Sequence, residues 1–201
     1  MDKRGALRAL SAATLAATAA FALTACNKDS KLTFQGVDVT GAEYAKDIPL
    51  QDVNGQRRSL KEFSGKVVAV FFGYTQCPDV CPTTLQELVE VKQQLGADAG
   101  KLQAIFVSLD PERDTPTVLK AYLANFDESF VGLHGTPEEV AAVAKDFKIF
   151  FKKVPGKTEG TYTLDHSAGT YLYDTQGRLR VYERYGVGPQ VLAQDVKALL
   201  G

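Results

Sequence analysis

Two cysteines, Cys77 and Cys81, stand four residues apart in the stretch GYTQCPDVCPTTL (73–85), and each is followed by a proline. Thiols at that spacing can cycle as a dithiol–disulfide pair or converge on one soft metal ion. On a helix, four residues make about one turn, so the spacing predicts two side chains sharing a face. Pro78 and Pro82 each suit the first turn of a helix, where a missing N–H costs nothing. The thiols are therefore expected at or near a helix N-terminus, where the dipole and the free N–H groups favour thiolate. Thiolate is the form that attacks disulfides and binds metals, so the position favours redox or metal work. A disulfide serving only as a staple is a weaker reading, because its stabilisation grows with the loop it closes and this loop is very short.

A third ligand must come from elsewhere. The chain has two histidines. His134 ends the short apolar run in VGLHG and reads as an incidental strand-end residue. His166, in TLDHSAGTYLYD, follows a polar, mobile-looking loop and precedes a strand. In open α/β sheets, sites gather at the loops around strand ends. Taken alone, a lone histidine is more often structural than a ligand. Asp165 beside it is either an acceptor that orients the ring or a solvated turn aspartate. Asp110, Arg113 and Asp114 in VSLDPERDTP either form a charged cluster near the site or, the plainer reading, serve turn and cap at Thr115. A structural zinc site wants four ligands, and two cysteines with two uncertain histidines do not offer four convincing ones. A peroxidase of the thioredoxin type needs one activated thiol in a Pro/Thr frame, which is not found.

The elements that must position these residues follow from periodicity. VVAVFFGY (67–74) is a continuous apolar run, as expected of a central strand buried on both faces, and it leads directly into the cysteines. The helix after them carries Leu85, Leu88, Val89 and Leu95 at helical spacing and closes at Gly96. LQAIFVSLD (102–110) reads as a second buried strand. Helices are expected over 115–126, with Thr115 as cap and Pro116 as first residue, and over 137–151. Residues 34–41 and 48–56 read as short strands, with Asn54-Gly55 as a turn. Residues 154–165 read as a polar loop. AGTYLYD and RLRVYERYG flank Gln176-Gly177 as a hairpin, and PQVLAQDVKALL closes the chain as a helix. The order predicts an α/β fold, a central mixed β-sheet with helices on both faces.

The N-terminus is distinct. Lys3, Arg4 and Arg8 precede an uncharged stretch from Ala9 to Leu23, the pattern of a secretory signal. It ends in LTAC (Leu23–Cys26), a lipobox-like match that makes Cys26 the expected site of lipid attachment. The expected organisation is a signal peptide over 1–25, a lipidated tether over 26–33 and one domain over 34–201, lying outside the cytoplasm. The whole chain is 45% hydrophobic and 23% charged, the balance of a soluble globular protein. Without residues 1–25 it keeps 20 Lys and Arg against 23 Asp and Glu, a net charge of −3 that argues against nucleic-acid binding.

GYTQCPDVCPTTL, VSLDPERDTP and DHSAGTYLYD, in that order, resemble the Sco/SenC family of copper-delivery proteins, over about residues 34–200. The resemblance implies a thioredoxin-like fold with extra N-terminal strands and a C-terminal hairpin. It implies Cys77, Cys81 and His166 as the ligands of one copper, Cu(I) or Cu(II). It also implies a membrane-anchored bacterial lipoprotein in the periplasm, a copper chaperone rather than an enzyme. Its partner would then be cytochrome c oxidase subunit II, whose dinuclear copper site it serves. The alternative is a thiol–disulfide oxidoreductase cycling Cys77 and Cys81 to reduce the cysteines of that or another partner. Many relatives have histidine where this chain has Gln76, a departure outside the three ligand positions.

Overall fold

The structure is a computed structural model that describes residues 32–201; the expected signal peptide, the expected lipid-attachment residue Cys26 and the expected tether up to residue 31 lie outside the described residues. Thr33–Gly201 forms one compact unit. Its centre is β3 (Val67–Gly73) paired in parallel with β4 (Leu102–Ser108). Every residue of both strands is buried, which is why their sequences run apolar instead of alternating. A seven-stranded mixed sheet grows from them in the order β1-β9-β8-β3-β4-β5-β2. β5 (Val131–His134) lies parallel to β4. β8 (Thr170–Tyr173) is antiparallel to β3, and β9 (Leu179–Glu183) to β8. The two edges are short: β1 (Val37–Asp38) on β9 and β2 (Gln51–Asp52) on β5.

Among the described residues, four α-helices cover the sheet: α1 (Val80–Leu95), α2 (Pro116–Ala124), α3 (Pro137–Asp146) and α4 (Pro189–Leu200). α1 packs on α4. Phe71 on β3 touches Phe106, which touches Tyr122 of α2. Phe72 points the other way, as successive strand residues must, and stacks at 4.9 Å on Phe147 just past α3. Helices thus lie on both faces, as expected. The cap at Thr115, the first-turn Pro116, the closing Gly96 and the Asn54-Gly55 turn all stand where the sequence places them.

Three expectations need correction. The N-terminal strands shrink to two residues each, because side chains take over the ladder. Asp38 Oδ1 accepts the Thr40 N–H, and Asp52 Oδ1 accepts those of Asn54 and Gln56. The third helix stops at Asp146, five residues early. Lys148 takes a left-handed conformation (φ 55°), the Ile149 N–H bonds to the Ala144 carbonyl and the Lys148 N–H to that of Lys145. This C-terminal motif usually carries glycine, so a lysine there leaves no stop signal in the sequence. The expected loop over 154–165 narrows to 156–161, the turn of a ribbon: β6 (Phe151–Pro155) pairs antiparallel with β7 (Tyr162–His166) as a separate two-stranded sheet.

Candidate metal centre

The chain leaves the core at Gly73 and turns before α1. Cys81 sits in the first helical turn and is fully buried, whereas Cys77 lies in the preceding loop and is half-buried. The two therefore do not share one helical turn, as the spacing suggested. They converge by another route. The N-cap residue, Asp79, makes no side-chain cap bond. Cys77 Sγ takes that place, accepting the Cys81 N–H at 3.5 Å. A sulfur held over a helix N-terminus meets an unpaired donor and the positive end of the dipole.

Both cysteines are free thiols, and their protons divide unequally. Donation from the Cys81 thiol lowers the Cys77 pKa to about 5 against the pull of burial, helped by the Asp79 and Cys81 amides and by His166. The neighbouring Cys77 sulfur and burial push the Cys81 thiol up, so it holds its proton. One residue makes room for this. A Cβ on Gly73 would lie 2.7 Å from Cys81 Sγ. The glycine that ends the apolar run is thus a site residue that the reading of motifs passed over; its signal was its place directly before the cysteine loop.

His166 ends β7, opposite Phe151, so it lies on a ribbon strand and not on a free loop. Its Nδ1 lies 2.9 Å from the Ser167 carbonyl, a bond that fixes the proton on Nδ1 and leaves the Nε2 lone pair free. Nε2 lies 3.7 Å from Cys81 Sγ. Phe71 and Tyr74 flank the ring edge-on at 6.3 and 5.9 Å. Cys77, Cys81 and His166 thus offer ligand atoms that all lie within 4.8 Å of one another. Two sulfurs and one imidazole suit copper: thiolates satisfy Cu(I), and the nitrogen makes Cu(II) acceptable.

The partner that orients His166 is the Ser167 carbonyl, not Asp165, which is exposed. His134 is structural, with Nε2 3.1 Å from the Asp52 carbonyl between β5 and β2. The side chains of Asp110, Arg113 and Asp114 do not cap α2; Thr115 does. They form the charged cluster. Asp114 accepts the Thr75 hydroxyl at 2.6 Å, the Thr75 N–H at 3.1 Å and the Ser108 hydroxyl at 2.6 Å. Arg113 bonds Asp110, which also accepts the Tyr162 hydroxyl at 2.7 Å.

Comparison with known proteins agrees with this geometry. The SCO1/SenC family model matches residues 38–201. The chain is 39% identical over 152 residues to an SCO2-like protein of Rickettsia felis, covering 75% of this chain and 74% of that protein. It is 36% identical over 138 residues to the mitochondrial SCO2 homologue of Bos taurus, covering 68% of this chain and 52% of that longer protein. Among solved structures, ScoI of Bradyrhizobium japonicum with copper bound superposes with a TM-score of 0.69 and 46% identity, over 76% of this chain and 97% of that one.

Proposed function

The chain belongs to the SCO1/SenC family, and we propose that it carries copper, held by Cys77 Sγ, Cys81 Sγ and His166 Nε2. The observation that carries this reading is the meeting of three ligand atoms from positions 77, 81 and 166 within 4.8 Å, with the imidazole already polarised through Nδ1. Copper is cargo here. Two thiolates, one imidazole and Cu(I) sum to one negative charge, and Cu(II) makes the site neutral, so the same donors tolerate both states. With Cys77 already ionised near neutral pH, loading need displace only the Cys81 proton.

By family, the receiver is the dinuclear copper site of cytochrome c oxidase subunit II. The leader and Cys26 support a domain outside the cytoplasm, on a lipid anchor and a tether over 26–33, acting as a periplasmic chaperone. The reading is tested by anaerobic loading of the reduced protein followed by metal analysis, which should find one copper per chain. In His166→Ala, Cu(II) should bind more weakly and the thiolate-to-copper visible band should change. An unchanged band and affinity would remove His166 from the site.

A second reading, thiol–disulfide exchange with a partner, is favoured by the unequal thiols. Cys77 is an accessible thiolate suited to attack a partner disulfide, whose leaving thiolate takes up a proton. Cys81, its pKa no longer raised by a Cys77 thiolate, can then lose its proton and resolve the mixed disulfide, releasing the partner's second thiol. It predicts exchange at an ordinary rate without copper and without His166.

A further inference from the structure

We propose that Arg113 is the positioning residue that pins the ribbon carrying His166 to the loop carrying Cys77, and so governs how readily the imidazole leaves the copper. The pin is read from geometry; its consequence for copper rests on the carrier reading above.

The ribbon β6–β7 shares no ladder with the main sheet. What holds His166 over the cysteines is therefore packing and side-chain bonding around the ribbon, chiefly buried Leu164 and the contacts of Tyr162. Arg113 is at the centre of the latter. Its Nη1 donates both to Gln76 Oε1 at 3.0 Å, one residue before Cys77, and to the Tyr162 carbonyl at 2.9 Å, the first residue of β7. Its Nε donates to Asp110, whose other oxygen takes the Tyr162 hydroxyl. The guanidinium carbon stacks 3.6 Å from the centre of the Tyr162 ring and 5.8 Å from that of Tyr74, which flanks His166. One planar cation thus touches three segments: the cysteine loop, the 110–114 loop and the ribbon.

The base of this pin is fixed independently. Asp114 ties the same loop to Thr75 through backbone and hydroxyl, and the Arg113 N–H bonds to the Asp110 carbonyl. The other charged link to the ribbon, Lys153 to Glu112, joins two side chains about half exposed and adds little. The contacts demand a fork. A lysine keeps the charge but cannot lie over the Tyr162 ring while donating from two separated nitrogens, one to Asp110 and the other to Gln76 and the Tyr162 carbonyl.

Two variants, Arg113→Gln and Arg113→Lys, test this; the lysine variant also covers the case that glutamine prevents folding. In the copper-free proteins, hydrogen exchange of amides in 151–166 should speed by about tenfold while β3 and β4 keep their protection. On loading, Cu(II) affinity should fall roughly 10–100-fold with a shifted thiolate-to-copper band, the size expected for loss of a group that orients a ligand. Cu(I), satisfied by the two sulfurs, should stay within about threefold. A lysine variant that matches the wild type in both readouts overturns the proposal in favour of bulk charge. Unchanged exchange in 151–166 in both variants overturns it outright. If the wild-type protein takes up no copper, the carrier reading fails on its own, and the exchange data still decide the pin.

Discussion

Asp110 and Asp114 at the mouth of the sheet are as deeply buried as Glu183 and Asp195 between β9 and α4, at 1% and 2% exposure against 2% and 1%, yet the two pairs are given different partners. At the mouth the charges meet a cation and oriented donors: Arg113 and the Tyr162 hydroxyl on Asp110, Thr75 and Ser108 on Asp114. Burial still raises the Asp114 pKa, with those donors pulling against it. Beside α4, Asp195 accepts the N–H groups of Gln35 and Gly36, each at 2.8 Å, and Glu183 has, among the described residues, no donor at either oxygen. Burial and the adjoining Asp195 carboxylate push Glu183 up to about 8. The one compensation left to it is its own proton, shared toward Asp195. A buried carboxyl pair is thus satisfied by a cation and donors where a site must be held, and by a proton where α4 clasps the segment at Gln35 and Gly36.

The sharpest way to break this contrast is truncation at each place. Asp114→Ala leaves the Thr75 amide and two hydroxyls without an acceptor and should cost about 3 kcal/mol, read as a lower denaturant midpoint. It should also loosen the segment before Cys77. Asp195→Ala unpairs two amides but relieves Glu183, so its loss should be smaller, about 1 kcal/mol. An equal or larger loss at Asp195 would mean that the pairs are not handled differently.

Next in size is the exchange of acid for amide at the mouth. Asp110→Asn keeps the shape but leaves the Arg113 cation without its carboxylate, and one amide oxygen cannot serve both Arg113 and Tyr162. Stability should fall by about 2 kcal/mol. The double variant Asp110→Asn, Arg113→Met also loses the Arg113 contacts to Gln76 and Tyr162, but its loss should be smaller than the sum of the two single losses, because the stranded charge is gone; additive losses would show that Arg113 does not compensate Asp110.

The mouth was more legible in the sequence than the clasp, for physical reasons. β3 and β4 announce themselves because burial on both faces writes an unbroken apolar run, and such a run followed by two cysteines locates the site. Thr115, Pro116 and Gly96 mark helix ends by their own local chemistry. Long-range pairing leaves no such mark. Nothing near His166 says that its ring meets Cys81, or that the Arg113 side chain reaches Tyr162; the resemblance supplied the first, and only coordinates supplied the second. Lys148 in a glycine conformation hid the end of α3, and the polar composition of 154–165 hid a ribbon whose exposed face is free to be polar. Glu183 looked like any alternating strand residue, because what makes it unusual is Asp195 arriving from α4.

The same acid-to-amide exchange at Glu183 should act in the opposite direction, and pH shows why. In the folded chain the Glu183 carboxyl titrates at about 8, against an ordinary value of 4.5. The folded state holds this proton more tightly than the unfolded one. Its contribution to stability is therefore whole below 4.5, shrinks as pH rises above that value and is lost past about 8. Glu183→Gln cannot titrate, and its amide can donate to Asp195 at every pH. Near pH 5 the two proteins should unfold at similar temperatures, near pH 6 the variant should be more stable by about 1 kcal/mol, and the gap should widen towards pH 8. Other groups titrate over this range, but they are common to both chains and cancel in the difference. A wild-type decline that persists undiminished in Glu183→Gln would show that the clasp is held by something other than a shared proton. A variant less stable at the higher pH would show that the buried carboxylate has a partner after all, and the contrast with the mouth would vanish.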